Sequence, residues 1–278
     1  MGRLVIAAVQ MQSGVDKEQN LSMAGRLVDE AVEKGARVIA LPEHFSFGGT
    51  LQLQRENAEP IPGPTVDRLR KKASTARVYL VGGSLAERSE ETGRVFNTSV
   101  LIDPRGDITA TYRKIHLFDL EMGDQPVMRE SDFFEPGNSI VAAETEYGVM
   151  GLTICYDLRF PEIYRALAVK GASIIFVVSS FMASTGRDHW EALLRARAIE
   201  NQVFIAAPNQ VGPIPGTDLV RYGHSAIVDP WGNMLSEASD TNGVITAEID
   251  FDYLTTVRRQ LPSLAARRPE VYRASSWL

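Results

Sequence analysis

The two halves of the chain repeat each other, and this repetition restricts the possible folds more than any other feature of the sequence. Three pairs of segments match in the same order along the chain: Lys34–Ile39 with Lys170–Ile175, Val78–Leu80 with Val203–Ile205, and Ser99–Gly106 with Ser225–Gly232. One accidental match would carry little weight, but three in the same order predict that both halves have the same topology, with connections of unequal length.

Within each half, short apolar runs alternate with amphipathic stretches. Leu4–Gln10 has the composition of a buried strand, and Lys17–Lys34 carries an apolar stripe at helical spacing. An Asp-Pro-x-Gly sequence at Asp103 and again at Asp229 suits a type I turn, which predicts a hairpin in each half. The last predicted strand, Val244–Ile249, is assigned to the second half.

This order of elements predicts an α/β fold built from two βαβαβββ halves related by a pseudo-twofold axis. Helices should cover one face of each sheet while the other faces pack together, giving a four-layer α-β-β-α sandwich. Because no linker or low-complexity segment divides the chain, residues 1–278 are predicted to form a single domain.

Composition argues against several classes of function. A net charge of -6 disfavours a nucleic-acid partner, and no apolar run approaches the roughly 20 residues that span a bilayer, so no membrane association is predicted. No His/Cys cluster or phosphate-binding glycine motif is present, so neither a metal nor a cofactor is expected. One cysteine allows no intramolecular disulfide, and the expected compartment is therefore the cytoplasm.

Three chemically active side chains follow predicted strands. Cys155 ends one strand just before a helix that Pro161 opens, a position where helix amides favour a thiolate. Glu43 and Lys114 each follow another strand, and α/β sheets usually place their sites at such ends. The alternative is a buried structural cysteine with two solvated charges. None of the four histidines lies in a papain-type or caspase-type signature.

The sequence resembles the nitrilase, or carbon-nitrogen hydrolase, superfamily. The resemblance spans about residues 4–272 and rests on these motifs: Leu41–Glu43, Tyr112–Leu117, Gly151–Glu162, His189–Glu191, Arg195–Asn201, Tyr222–Ser225 and Asp229–Gly232. Within the superfamily, the deaminated-glutathione amidase branch is the most similar, and the omega-amidase branch follows. The superfamily fold is the same four-layer sandwich that the repeat predicts.

The resemblance implies a mechanism for the three residues. Glu43 would accept the thiol proton, Cys155 would attack an amide carbonyl, and Lys114 with the backbone amide of Tyr156 would stabilise the oxyanion. The thioester would then be hydrolysed, yielding acid and ammonia without a cofactor.

The second catalytic glutamate of the superfamily aligns with Glu130, although Glu121 and Glu135 lie near it in sequence. For binding the substrate, the resemblance implies Arg159 as a clamp for a carboxylate, with Phe181 and Thr185 lining the pocket. A structural ion pair of Arg159 with Asp157 or Glu162 is the alternative.

The expected function is a cysteine-dependent amidase acting on a small carboxylate-bearing amide, either deaminated glutathione or a 2-oxo dicarboxylate monoamide. Two alternatives remain: another hydrolase of the superfamily, such as an N-carbamoyl amino acid amidohydrolase or a nitrilase, and an inactive scaffold. A homodimer or larger homo-oligomer is expected, with residues 261–278 as a tail at the subunit interface. The apolar residues of this tail have no place in the repeat: Leu261, Leu264, Val271, Tyr272 and Trp277.

Overall fold

The computed structural model describes residues 2–122 and 125–274. Its strands are β1 (Arg3–Gln10), β2 (Val38–Ala40), β3 (Tyr79–Val81), β4 (Leu85–Arg88), β5 (Val95–Ile102), β6 (Ile108–Arg113), β7 (Asp119–Met122), β8 (Gln125–Arg129), β9 (Ala142–Thr145), β10 (Gly148–Ile154), β11 (Ala172–Val178), β12 (Phe204–Ala207), β13 (Val211–Pro213), β14 (Val220–Tyr222), β15 (Ala226–Val228), β16 (Met234–Glu237) and β17 (Gly243–Asp250). Its helices are α1 (Lys17–Glu33), α2 (Leu51–Glu56), α3 (Pro64–Ala76), α4 (Pro161–Val169), α5 (Ala183–Asn201), α6 (Phe251–Gln260) and α7 (Pro269–Ala274). Two 3₁₀ turns cover Glu130–Asp132 and Cys155–Arg159.

Two mixed sheets form the centre of the fold. The first has the order β17-β1-β2-β3-β5-β4, with β6 also paired to β5, and the second has the order β16-β15-β12-β11-β10-β9. β1, β2 and β3 run parallel in the first sheet, as β10, β11 and β12 do in the second. The two halves therefore share the predicted βαβαβββ order, which confirms the inference from the repeat.

Alternate residues of β1 pack on opposite sides of its sheet, as the period of an extended strand requires. Ile6 and Ala8 contact the core that the two sheets share, whereas Ala7 and Val9 contact the buried faces of α1 and α3. Helices α4 and α5 cover the outer face of the second sheet. The four layers are therefore helix, sheet, sheet and helix, as predicted.

Both predicted hairpin turns are present, and they have the same hydrogen bonds. The Asp103 carboxylate accepts from the backbone of Arg105 and Asp107, and the Asp229 carboxylate accepts from the backbone of Trp231 and Asn233. In each turn the glycine N–H donates to the carbonyl of the aspartate, closing the hairpins β5–β6 and β15–β16. The repeated motif therefore forms the same turn in both halves.

The last strand belongs to the first sheet, so its assignment to the second half is wrong. β17 pairs antiparallel with β1 along eight residues, from Arg3 opposite Asp250 to Gln10 opposite Gly243. This pairing satisfies the outer edge of β1, which the repeat alone would leave open. The hairpin partner in the second half is instead β16, a short and half-exposed strand with a weak apolar pattern.

Several elements have no counterpart in the sequence prediction: helices α2, α6 and α7, strands β4, β9 and β16, and the hairpins β7–β8 and β13–β14. Within the described residues, no helix is both long and apolar enough to cross a membrane.

The C-terminal segment lies against its own subunit near α4 and α6. Leu264 packs on the sheet core, and the Leu261 carbonyl accepts from Gln202 at 2.6 Å. Val271 and Tyr272 are half exposed. Trp277, the remaining apolar residue of the predicted tail, lies outside the described residues.

Candidate active site

Two charged side chains emerge at the same edge of the first sheet. Glu43 follows β2 and Lys114 follows β6, and both are buried. β6 is antiparallel to β5, which is antiparallel to β3, so β6 runs in the same direction as β2. The carboxyl ends of β2 and β6 therefore meet, although 71 residues separate the two side chains.

The backbone at Lys114 is held from both sides. Its N–H donates to the carbonyl of Asn97 at 2.8 Å, and its carbonyl accepts from Gly137 at 2.7 Å. A Cβ at Gly137 would lie 2.2 Å from the carbonyl oxygen of Arg113, so only glycine allows this close approach.

Cys155 follows β10 of the second sheet and starts the 3₁₀ turn that leads to α4. Its φ of 45° is in the left-handed region, which is uncommon for a residue with a side chain and points to a constrained turn. The thiol lies within hydrogen-bonding reach of the Glu43 carboxylate and of the backbone amide of Ser180. The two sheets thus bring the cysteine and the glutamate together.

Asp157 stabilises the turn that carries Cys155. This fully buried carboxylate accepts from the Ile154 backbone at 2.8 Å, from the Tyr112 hydroxyl at 2.6 Å and from the His116 backbone at 3.2 Å. Its other contact is the His116 ring, with Nδ1 at 2.7 Å. The Asp157 carboxylate therefore forms its hydrogen bonds with groups in and around the turn, and it is not paired with Arg159.

Lys114 lies between two buried carboxylates. Its Nζ is 3.1 Å from Glu43 Oε1 and 2.7 Å from Glu130 Oε2. Asn97 Nδ2 donates to both carboxylates, at 2.9 Å to Glu43 and 3.1 Å to Glu130. The Phe118 backbone N–H also donates to Glu130, at 2.7 Å. Each carboxylate is therefore held by at least two donors.

The charges in this cluster shift one another's pKa values. Burial by itself would raise the pKa of Glu43, but the charges of Lys114 and His44 and the hydrogen bonds to the carboxylate together outweigh it and lower that pKa below 4.5. Burial together with the charge of Glu43 raises the pKa of Glu130 despite its bond to Lys114. Burial would lower the pKa of Lys114, but the two carboxylates raise it well above 10.5. At neutral pH, Glu43 is a carboxylate and Lys114 an ammonium.

Two further groups at the site are neutral at neutral pH. Burial and the charge of Glu43 raise the pKa of Cys155 well above 9.0, so the resting group is a thiol. Burial lowers the pKa of His44 to about 4, and its Nε2 lies 3.7 Å from Glu43 Oε1. A thiol next to a carboxylate has a proton acceptor already in place.

Among the glutamates that sequence proximity suggests, Glu130 is the one brought to Lys114. Glu135 is half exposed, and its carboxylate lies 3.7 Å from Arg94. The side chain of Glu121 lies outside the described residues.

The predicted substrate-binding side chains line a narrow lobe on one side of Cys155. This lobe, hereafter the narrow lobe, is bounded by Phe118, Cys155, Tyr156, Arg159, Ser180, Phe181, Met182 and Thr185. The Arg159 guanidinium lies over the Phe181 ring at 5.2 Å and contacts His189 Nδ1 at 3.2 Å. Across the described residues Arg159 forms no ion pair with an acidic side chain, so neither Asp157 nor Glu162 neutralises it.

A larger cavity also opens at Cys155. This cavity, hereafter the wide lobe, has a volume of about 650 Å³. Its inner wall contains Glu43, His44, Lys114, Glu130 and Arg221. Much of the rest of the cavity wall is apolar and is formed by the side chains of Leu51, Phe133, Ile214 and Leu219. Cys155 thus lies where two cavities of different size and charge meet.

Three potential metal ligands lie close together in the described part of the chain. Ligand atoms of Glu43, His44 and Glu130 are within 4.8 Å of one another. The Lys114 ammonium bonds both carboxylates and occupies the position where a cation would gain most from them. The donor set therefore fits an internal ammonium better than a metal ion.

Three residues of the site, Asn97, Asp157 and Arg221, are absent from the set predicted from the sequence. Asn97 interrupts an apolar run in a fully buried strand, which is a usable signal for a functional polar group. Asp157 is two residues from the cysteine, but its sequence position suggests only an ion pair with Arg159. Arg221 lies in a short edge strand and has no local signature at all.

Comparisons with known sequences agree with this geometry. A family model described as carbon-nitrogen hydrolase matches residues 5–259. Omega-amidase NIT2 of Xenopus tropicalis is 38% identical over 272 residues, covering 98% of this chain and 98% of that protein. Deaminated glutathione amidase of Synechocystis sp. (strain PCC 6803 / GT-S) is 41% identical over 264 residues, covering 94% of this chain and 97% of that protein.

Solved structures are also similar along nearly the whole chain. The C. elegans NitFhit protein has a TM-score of 0.90 at 36% identity, covering 98% of this chain and 66% of that one. A mutant amidase from Nesterenkonia sp. AN1 has a TM-score of 0.82 at 28% identity, covering 100% of this chain and 97% of that one. In the latter structure, the acetamide moiety of fluoroacetamide is covalently attached to the active-site cysteine.

Proposed function

The chain belongs to the carbon-nitrogen hydrolase family, and from that premise we propose that it is a cysteine amidase in which Cys155 attacks a small carboxylate-bearing amide. One observation carries the proposal. The thiol of Cys155 meets the carboxylate of Glu43 at a point where Lys114 is already bound between Glu43 and Glu130. Nucleophile, base and a cationic hydrogen-bond donor are therefore adjacent.

In the first step, the thiol loses its proton to Glu43 as its sulfur attacks the amide carbon. Because burial keeps the resting group a thiol, Glu43 has to accept its proton for the sulfur to attack. The carbonyl oxygen becomes an oxyanion, which Lys114 and the backbone amide of Tyr156 stabilise. Glu43 then returns the proton to the nitrogen, the C–N bond breaks and a thioester remains.

In the second step, Glu43 removes a proton from water, which attacks the thioester. The carboxylic acid leaves and Cys155 regains its proton. A primary amide thus yields acid and ammonia, and a secondary amide yields acid and an amine.

Glu130 acts through Lys114. Its short bond to Nζ and the donors from Asn97 and Phe118 orient the ammonium toward the nucleophile. These contacts support a positioning role for Glu130, because in the proposed mechanism the acid–base steps are completed by Glu43 alone.

For the acyl part of the substrate, the narrow lobe provides Arg159. A guanidinium without an acidic partner suits a substrate carboxylate, which it can bind through two parallel hydrogen bonds. Phe181 supplies an apolar wall and Thr185 a hydroxyl. The names of the relatives, omega-amidase and deaminated glutathione amidase, support 2-oxo dicarboxylate monoamides and deaminated glutathione as the substrates to test.

The test compares kcat/KM for 2-oxoglutaramate, deaminated glutathione, N-carbamoyl amino acids and neutral aliphatic nitriles. The acidic amides should be the best substrates, and Arg159→Lys should lose most of that preference. Arg187→Lys, an exposed change on α5, is the matched control. If Arg159→Lys keeps the preference for acidic amides, Arg159 does not bind the substrate carboxylate as proposed. Faster turnover of nitriles than of amides would contradict the amidase assignment, and no turnover of any compound would favour a scaffold.

We also propose that the chain is a single hydrolase domain that works in the cytoplasm as a homodimer or larger assembly. Val169, Ile199, Leu261, Val271 and Tyr272 leave half of their surface exposed on or near α4, α5 and the C-terminal segment, which supports an interface there. Light scattering at micromolar concentration should exceed the 30.6 kDa monomer mass. A monomer mass across that range would contradict the assembly.

A further inference from the structure

Arg221 is a buried cation whose charge the described residues do not neutralise. Its side chain lines the wide lobe and is only 2% exposed. Nη1 donates to the carbonyl of Ser13 at 3.3 Å, and the buried Nε has no hydrogen-bond partner. No acidic side chain of residues 2–122 and 125–274 forms an ion pair with it. Burial lowers the pKa of Arg221 only to about 10, so it remains charged at neutral pH.

A buried charge without a counterion is costly for a folded protein. The closest acidic group in the wide lobe, Glu43, is engaged by Lys114 and Asn97. Glu130, a second buried acid of the lobe, is engaged by Lys114 and Asn97 as well. The two remaining acidic side chains of the lobe, Asp132 and Asp218, are exposed, and Asp132 lies 3.9 Å from Arg129. An anion that enters the lobe would therefore find Arg221 available.

The mechanism assigns the two lobes to the two parts of the substrate. Glu43 gives a proton to the departing nitrogen, so the leaving group lies on the Glu43 side of Cys155. Glu43 and Arg221 both line the wide lobe, whereas Arg159 lines the narrow lobe. The acyl part therefore lies toward Arg159 and the leaving amine toward Arg221.

The size of the wide lobe also bears on the leaving group. Ammonia would occupy a small fraction of a 650 Å³ cavity, whereas an amino acid or a dipeptide would fill much more of it. The apolar side chains of Leu51, Ile214 and Leu219 would contact the body of such an amine.

We propose that Arg221 binds a carboxylate on the leaving amine, so that the preferred substrates are secondary amides joining a carboxylate-bearing acyl group to an amino acid or short peptide. This inference rests on the proposed function. The bond changes are those of the amidase reaction: the C–N bond breaks, the thioester forms, and the proton that Glu43 took from Cys155 goes to the amine. Of the two candidate substrates, deaminated glutathione fits, because its 2-oxoglutaryl group is joined to cysteinylglycine.

The test uses two amides that differ only at the far end of the leaving group. One is 2-oxoglutaryl-cysteinylglycine and the other is its C-terminal carboxamide, with 2-oxoglutaramate as the primary-amide reference. In the wild type, kcat/KM should be on the order of 10–100-fold higher for the free carboxylate than for the carboxamide, as expected for hydrogen bonds to charged groups. Arg221→Met should bring this ratio close to one, and Arg221→Lys should give an intermediate ratio.

Because the readout is a ratio within one protein, partial unfolding of a variant does not mimic the effect. If Arg221→Met does not fold, the wild-type ratio still decides: equal rates for the two secondary amides would overturn the inference. A wild-type preference that persists in Arg221→Met would also overturn it. Turnover of 2-oxoglutaramate alone would leave the amidase assignment intact and remove the inference, whereas no turnover of any amide would contradict the proposed function itself.

Discussion

Replacing Lys114 by methionine should affect both turnover and the pH dependence of stability. Methionine approximates the length of lysine without its charge, so two buried carboxylates would lose a counterion that lies 3.1 Å from Glu43 and 2.7 Å from Glu130. Removing one partner of a buried ion pair typically costs about 3–5 kcal/mol. Since domains are stable by about 5–15 kcal/mol, the variant should still fold.

The stability lost in Lys114→Met should increase as the pH rises. In the wild type the pKa of Glu43 is lowered, so its contribution to stability is present above its unfolded pKa and is lost as pH falls. Without Lys114 the pKa values of Glu43 and Glu130 should both be raised, so the variant loses stability as pH rises above about 5. Over the pH range in which the folded variant binds one proton more than the unfolded chain, its free energy of unfolding should fall by about 1.4 kcal/mol per pH unit.

Urea unfolding from pH 5 to pH 8 measures this slope, and turnover of 2-oxoglutaramate measures the catalytic effect. Loss of an oxyanion donor lowers kcat by on the order of 10²–10³. The double variant Lys114→Met with Glu130→Gln removes one of the two unpaired charges, so it should recover stability at pH 8 without recovering turnover. Lys71→Met, an exposed change on α3, controls for the substitution itself.

Two results would refute this reasoning. A wild-type kcat in Lys114→Met would show that the Lys114 ammonium does not stabilise the oxyanion. A loss of stability that does not change with pH would show that Lys114 is not the counterion of the two carboxylates.

Three further predictions concern the same site. Cys155→Ala should abolish turnover, and a slow amide should leave an acyl mass on the wild-type tryptic peptide spanning residues 130–159; full activity of the variant would exclude the thioester. Because the pKa of Glu43 lies below 4.5 and that of Lys114 above 10.5, kcat/KM should be nearly constant between about pH 6 and pH 9; a limb near pH 7 would indicate a different base. Dialysis against EDTA should leave the rate unchanged. Activity that returned only with added zinc would contradict a site in which the Lys114 ammonium, and not a metal ion, binds the two carboxylates.

Local sequence patterns determined much of the fold. The period of the apolar residues located most strands and helices, and the Asp-Pro-x-Gly motif located both hairpins, because strand alternation and turn chemistry depend on neighbouring residues. The internal repeat extended this to the four-layer architecture. The positions of Glu43, Lys114 and Cys155 at strand ends also follow from local pattern, which is why the sequence predicts all three as one catalytic group.

Only the tertiary structure decided which distant groups meet. Glu130 is selected over Glu135 because the 3₁₀ turn at residues 130–132 carries its carboxylate to Lys114, and no local signal encodes that contact. The pairing of β17 with β1, and the presence of Arg221 and Cys155 in the wall of one cavity, likewise join residues more than 60 positions apart. Such contacts depend on how elements pack, and a linear pattern records the elements without recording their packing.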